Sequence, residues 1–304
     1  MKNILSIGEV LMDVYYEEQI SEIVGGASFN VSCSIGAIKN NNSYFVGALG
    51  NDKYKNEIQK FFKKYNVKDK LVQNSNVPTT IAQVTLDENK ERYFKFIRNS
   101  DAEYKLNTDE IEKVLNVDFI HFGSATAFLG GNLKKSYEKL FKYAINNKIK
   151  FSFDPNFRDK LWITDKEIKE FVECCKPFIE TAHLIKLSDD ELRLLTDIDN
   201  QIEAVSSIAS KNPKALIAVS RGSDDTLFVW KNVISYVPVA SSKKLRDTTG
   251  AGDSFISKLI DEYVTNKIND QTSIDEIATI VHNANLFASK SVEHLGALTF
   301  LDFI

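Results

Sequence analysis

Asp247-Thr248-Thr249-Gly250-Ala251-Gly252-Asp253-Ser254, running straight into the amphipathic stretch Phe255–Val264, is the most informative segment of this 304-residue chain. Two glycines that let the backbone turn tightly, set just before a helix, aim several N–H groups and the positive end of the helix dipole at one spot. An anion fits there. Asp253, in the first helical turn, has two readings. It is a dipole-complementary helix cap, or it is the base of a phosphoryl-transfer site, where the nest holds developing phosphate charge and the carboxylate takes the proton of an attacking hydroxyl.

Working outward, apolar runs rich in β-branched and aromatic residues alternate with segments of helical period. Ile4–Val10, Ser43–Leu49, Val117–Phe122, Ile149–Asp154, His183–Leu187 and Ala215–Ser220 read as strands; Ala27–Ile38, Asp52–Tyr65, Gly131–Asn147, Lys166–Lys176 and Gln201–Lys211 read as helices. Such alternation predicts an α/β doubly wound architecture, a mostly parallel sheet flanked by helices, with ligands outside the carboxyl ends of its strands. Asp225–Trp230 and Val233–Val239, turning at Lys231-Asn232, predict an antiparallel edge. Thr79–Leu86 and Arg92–Arg98, joined by the polar residues 87–91, break the alternation. Apolar residues fall on both faces of this hairpin, which reads as a small β-sheet lid, a dimer contact or an ordinary surface hairpin. The expected organisation is one domain over residues 1–304, with a lid formed by about 14–24 and 77–100.

Composition narrows the class. A formal charge of −4 and the absence of any block of like charges argue against nucleic acid as a partner. No run approaches the roughly 18 apolar residues of a membrane span, and Met1-Lys2-Asn3 leads into Ile4 without a signal-peptide pattern, so a cytoplasmic location is expected. Cys33, Cys174 and Cys175 offer no Cys-x-x-Cys cage and read as small buried apolar residues. The chain has six Arg against 25 Asn, so Asn40-Asn41-Asn42 reads as background composition in a loop. His121, His183, His282 and His294 are scattered and read as structural.

A second glycine segment, Gly25-Gly26-Ala27-Ser28-Phe29-Asn30, also precedes a helix. It is either a plain turn or a surface where a ligand touches backbone, with Asn30 offering a donor and an acceptor to hydroxyls. Asp13, near the end of the first strand, is its natural partner, because a carboxylate accepting two hydroxyl hydrogen bonds holds a polyol.

Gly25-Gly26-Ala27-x-x-Asn30 and Asp247-Thr248-Thr249-Gly250-Ala251-Gly252-Asp253 resemble the two signatures of the ribokinase/PfkB-type carbohydrate kinases, and element order fits over essentially the whole chain. Gly8-Glu9-Val10-Leu11-Met12-Asp13, Arg98 with Asp101-Ala102, Asp154-Pro155-Asn156-Phe157-Arg158 with Leu161-Trp162, and Lys186-Leu187-Ser188-Asp189-Asp190-Glu191 resemble the fructokinase branch. Ribokinases usually carry Lys where this chain has Ala27. The resemblance implies an ATP-dependent sugar kinase with Mg2+, acting on a hexose, D-fructose first. 2-Keto-3-deoxygluconate is the nearest alternative substrate, and a non-catalytic sugar- or nucleotide-binding protein is the alternative from another class. By the same resemblance Asp253 is the general base, and the N–H groups of Gly250, Ala251 and Gly252 form the anion hole. Asp13, Gly25, Gly26, Asn30 and Arg98 hold the sugar. Arg158, Asn156, Lys186, Ser188, Ser220, Gly222 and Asn283 serve the nucleotide. Asp247 and Thr249 match a monovalent-cation site, K+ in the first instance. Apart from the resemblance, Phe94, Phe96 and Phe128 read either as lining of the sugar site or as core residues. Two positions depart from the family: Asp225 and Lys55 stand where glycines are usual. Partners are then the sugar and ATP, with a homodimer through the lid.

Overall fold

Alternate residues of the strands separate cleanly onto two apolar faces. Ile4, Phe119, Leu184, Leu216, Ala218 and Phe228 enter one buried cluster; Leu5, Ile120, Ile185, Ile217, Val219 and Leu227 enter another. Period-two side chains that are apolar on both sides produce a sheet with a helical layer on each face. The computed structural model describes residues 1–16, 20–86, 92–107, 109, 111–112, 116–240, 242 and 244–304, with backbone alone for 84, 86 and 92–94.

In chain order the elements are β1 (Asn3–Ile7), β2 (Leu11–Tyr16), β3 (Ile20–Gly25), α1 (Ala27–Ile38), β4 (Asn42–Leu49), α2 (Tyr54–Lys64), β5 (Val67–Asn74), β6 (Ile81–Leu86) and β7 (Arg92–Ile97). There follow β8 (Phe119–Gly123), α3 (Gly131–Asn146), β9 (Lys150–Asp154), α4 (Asp165–Thr181), β10 (Leu184–Ser188), α5 (Asp189–Thr196), α6 (Gln201–Lys211) and β11 (Leu216–Arg221). The chain ends with β12 (Asp224–Trp230), β13 (Val233–Val237), α7 (Ala251–Thr265) and α8 (Ile274–Ser291).

Nine strands form the main sheet in the order β13-β12-β11-β10-β9-β8-β1-β4-β5. Pairings from β11 through to β5 are parallel, and β11-β12 and β12-β13 are antiparallel. The order reverses between β1 and β8, which opens a crevice at their carboxyl ends. Lys231 and Asn232 both take positive φ, 50° and 62°, as a two-residue hairpin turn requires. Helices α1, α7 and α8 cover one face; α3 to α6 cover the other.

The segments expected as a lid meet in a separate four-stranded sheet, β3-β2-β6-β7, in which β2 and β6 pair in parallel and the outer pairs are antiparallel. Its base is latched to the main sheet: Asp52 accepts from the Thr79 N–H at 2.7 Å and the Thr79 hydroxyl at 2.8 Å. Gly50 permits this approach, since a Cβ there would stand 2.1 Å from the Thr79 nitrogen. The connection 87–91 and the side chain of Phe94 lie outside the described residues.

Three expectations change. The Asn40–Asn42 stretch is a structural joint, in which Asn40 and Asn41 each donate to the buried Asp261 of α7 at 2.9 Å. Phe128 belongs to the core, with Tyr137 at 5.4 Å and Phe178 at 5.7 Å between ring centroids, and does not line a sugar site. Helix α4 runs past Lys176 to Thr181 and accommodates Pro177. Among the described residues no helix is long and apolar enough to cross a membrane.

Candidate active site

The carboxyl ends of β1, β9 and β10 and the N-terminus of α7 converge at the mouth of the crevice. Gly250 is the N-cap of α7 at φ 77°, where its Cβ would lie 2.3 Å from that of Ala297, so the turn tolerates no side chain. Ser254 makes the first helical bond, to the Gly250 carbonyl at 2.8 Å, leaving the amides before it at the open end of the helix. Ala251 is an exception, because its N–H donates to the Thr248 carbonyl at 3.2 Å within the turn.

Asp253 is buried at this end, and both of its oxygens are held: Oδ2 accepts from Asn30 Nδ2 at 2.9 Å and Oδ1 from Asn156 Nδ2 at 3.3 Å. The two amides come from opposite sides, α1 and the turn after β9, and fix the plane of the carboxylate. The amide oxygen of Asn30, Oδ1, is buried without a partner. Asn156 sits at φ 48°, a left-handed conformation that asparagine tolerates, and its N–H donates to Asp154 at 3.1 Å.

Lys186 stands directly beneath the glycine turn. Its Nζ lies 3.2 Å from where a Cβ of Gly252 would be, and it pairs with Asp154 at 3.3 Å. Burial alone would lower the ammonium, but Asp154, Glu191 and Asp253 around it hold it above the usual lysine range. Burial pushes the Asp154 carboxyl up, with Lys186 opposing. The arrangement places a retained positive charge under an amide nest, which is what a transferring phosphoryl group requires.

At the start of α1, Gly25 and Gly26 are close-approach positions. A Cβ on Gly25 would meet Asp13 Oδ2 at 2.4 Å; one on Gly26, at φ 108°, would meet the Glu9 carbonyl at 2.7 Å. Burial pushes Asp13 up to about 6, with the exposed Arg158 opposing and Asp253 and Asp247 adding to the rise. Arg158 thus lies within electrostatic reach of Asp13. Arg98 is not a solvated surface residue: its Nε donates to the buried Asp101 at 2.8 Å and its Nη2 to the Gly130 carbonyl at 3.0 Å.

The remaining candidates take the following places in the fold. Ser188 is the N-cap of α5 in a reciprocal capping box, its Oγ accepting from Glu191 N and its N–H donating to Glu191. Ser220 donates to the Leu187 carbonyl at 3.3 Å, and Gly222 turns at φ 62° into open space. Where a glycine is usual, Asp225 receives Arg221 Nε on its carbonyl at 2.6 Å. Asn283 points away from the crevice, to Glu262 of α7 at 3.4 Å, whereas Asn285 faces β12 and β13 through Thr226 and Pro238. Asp247 ties two loops, accepting from Thr249 N at 2.9 Å and Gly296 N at 2.8 Å. The histidines are structural where they approach the site, with burial lowering His121 to about 3 beside Ser152.

Glu191 escaped the sequence reading as a site residue. It is a buried strut whose Oε1 accepts from Phe157 N at 2.8 Å while Oε2 takes Ser188 N, joining the turn after β9 to that after β10. The Ser-x-x-Glu spacing was the available signal. Asp52, which anchors the small sheet, reads in the sequence only as the start of a helix, and Asp101, which holds Arg98, only within the family resemblance.

An open helix start above a retained lysine charge and facing a fixed carboxylate is the chemistry of a phosphotransferase. The pfkB family carbohydrate kinase profile matches residues 1–303, and the chain belongs to that family. A probable fructokinase-5 of Arabidopsis thaliana is 30% identical over 84% of this chain and 81% of its own length. Among solved structures, a fructokinase of Vibrio cholerae O395 with fructose, ADP and potassium bound superposes with a TM-score of 0.82 at 23% identity, over 99% of this chain and 95% of that one. The Xylella fastidiosa fructokinase with bound ATP gives 0.84 at 21%, over 98% and 94%.

Proposed function

We propose that the protein is an ATP-dependent fructokinase, transferring the γ-phosphoryl group of ATP to a hydroxyl of D-fructose. The observation that carries the reading is Asp253 at the mouth of α7, clamped by Asn30 and Asn156 behind a glycine turn that has Lys186 beneath it. The substrate rests on the family and on relatives named for fructose.

The sugar lies over Gly25 and Gly26 with hydroxyls on Asp13 and Asn30, under the four-stranded sheet, and Arg98 closes its edge. Its reacting oxygen attacks the γ-phosphorus in line as the bond to the bridging β,γ-oxygen breaks. The hydroxyl proton passes to Asp253 Oδ, and ADP leaves with the electron pair of the broken bond. The amides of Gly250 and Gly252 and the ammonium of Lys186 meet the charge that gathers on the transferring group. Arg158 and Asn156 face the phosphates from the turn after β9; Ser220 and Gly222 border the nucleotide at the end of β11. Mg2+ arriving with ATP would supply neutralisation of phosphate charge; among the described residues no cluster of three His, Cys, Asp or Glu converges to hold it without the nucleotide. A monovalent cation, K+, belongs beside the same loop at Asp247 and Thr249. The cytoplasm, which supplies ATP and keeps the three free cysteines reduced, is the expected compartment. The small sheet, where Tyr16 and Ile20 are exposed, is where a second copy would pair.

The test is ADP release by the purified chain with Mg2+-ATP against fructose, ribose, mannose, 2-keto-3-deoxygluconate and adenosine. Fructose ahead of the rest is expected. The keto acid ahead overturns the substrate, and ATP binding without turnover of any sugar overturns the enzyme.

A further inference from the structure

We propose that Glu9 is a positioning residue, which caps α1 from outside the helix and thereby sets Asn30, the amide that clamps Asp253. The inference rests on the kinase reading above, but its structural part stands apart from it.

Helix α1 cannot cap itself. Its N-cap is Gly26, with no side-chain cap bond, and its first turn holds no acidic residue. Gly26 is imposed by the close approach to the Glu9 carbonyl, so the residue type that would normally satisfy the first amides is excluded there. The missing acceptor comes from the end of the neighbouring strand: Glu9 Oε1 accepts from Ser28 N at 3.2 Å. Ser28 is the second residue of α1, and Asn30 follows half a turn later, donating to Asp253 at 2.9 Å. One carboxyl therefore fixes the start of the helix that carries both the sugar-facing turn and the clamp on the base.

Glu9 is 1% exposed, and its Oε2 is buried without a hydrogen-bond partner. Burying a carboxyl this way is costly, and nothing in the apolar core demands it. Burial raises Glu9 to about 7, opposed by its backbone bonds. A glutamine, which keeps the acceptor without the charge, is accordingly a close mimic.

The experiment uses the full-length chain as wild type, Glu9→Ala, Glu9→Met and Glu9→Gln. Amide hydrogen exchange is read over residues 26–32, and KM and kcat are read for fructose and for ATP. For Ala and Met we expect exchange at the start of α1 to rise about tenfold or more, fructose KM to rise and kcat to fall by on the order of tenfold, and ATP KM to stay within about twofold. Gln restores all of these to within about threefold. If Ala fails to fold, Met against Gln carries the comparison. Wild-type exchange and wild-type fructose kinetics in folded Ala or Met variants would overturn the proposal, as would Gln as impaired as Met. Absence of fructose turnover in the wild type would instead remove the kinase reading, leaving exchange to decide the role of Glu9.

Discussion

Replacing Lys186 by Met separates what the buried ammonium does for folding from what it does for chemistry. Lys186 and Asp154 are 6% and 1% exposed and stand 3.3 Å apart. At an effective dielectric of about 20 their attraction is ~5 kcal/mol, and breaking a buried pair by removing one partner costs about 3–5 kcal/mol because the other charge stays behind. Asp154 can escape part of that by taking a proton, since burial already pushes it up. The loss should therefore be largest at alkaline pH and shrink towards about pH 5, as the carboxyl protonates without Lys186 to oppose it. Urea unfolding at the two pH values, with m unchanged, measures it. Lys186→Met combined with Asp154→Asn should recover most of the stability while leaving kcat depressed by about 10²–10³, the cost of losing one preorganised charge beneath the nest. A single variant within about 1 kcal/mol of wild type at about pH 8 would refute the buried pair. Recovery of kcat in the double variant would refute the catalytic role.

Further outcomes follow from the glycine turn and the sugar floor. Gly250→Ala places a Cβ 2.3 Å from that of Ala297 at φ 77°, so a lower Tm and a kcat reduced about tenfold or more are expected by thermal melt and steady-state assay. If the carboxylate form of Asp13, pushed up to about 6, holds two sugar hydroxyls as proposed, fructose KM should rise by up to about tenfold per pH unit below that value. Its effect on folding has the opposite sign, present in acid and lost as pH rises through about 6. Arg158→Ala should move the break in the KM profile upward, because Arg158 opposes the rise in Asp13.

Much of this arrangement was legible because period and glycine placement are local. The strands that split Ile4 from Leu5 and Leu216 from Ile217 onto two faces announce themselves as near-continuous apolar runs. The turns at Gly25-Gly26 and Gly250 are explained by what a Cβ would strike. What escaped has non-local causes. Strand β5 carries exposed Lys68, Asp69 and Lys70, the charges expected on a protected sheet edge, and these mask its pattern. Ser188 has the spacing of a helix cap, and the fold shows that it makes one. Asn283 and Asn285 differ by two residues, yet they point to different neighbours because α8 turns about 100° per residue. Glu9 and Asp52 act across the chain on Ser28 and Thr79, contacts that no window of sequence contains.

The most direct test of the central claim is fructose-dependent ADP release by the wild type and Asp253→Asn, measured side by side with ATP binding. Wild-type turnover, with kcat lowered about 10²–10⁴-fold in the variant and ATP still bound, is the predicted result. An Asp253→Asn protein with near-wild-type kcat would contradict it.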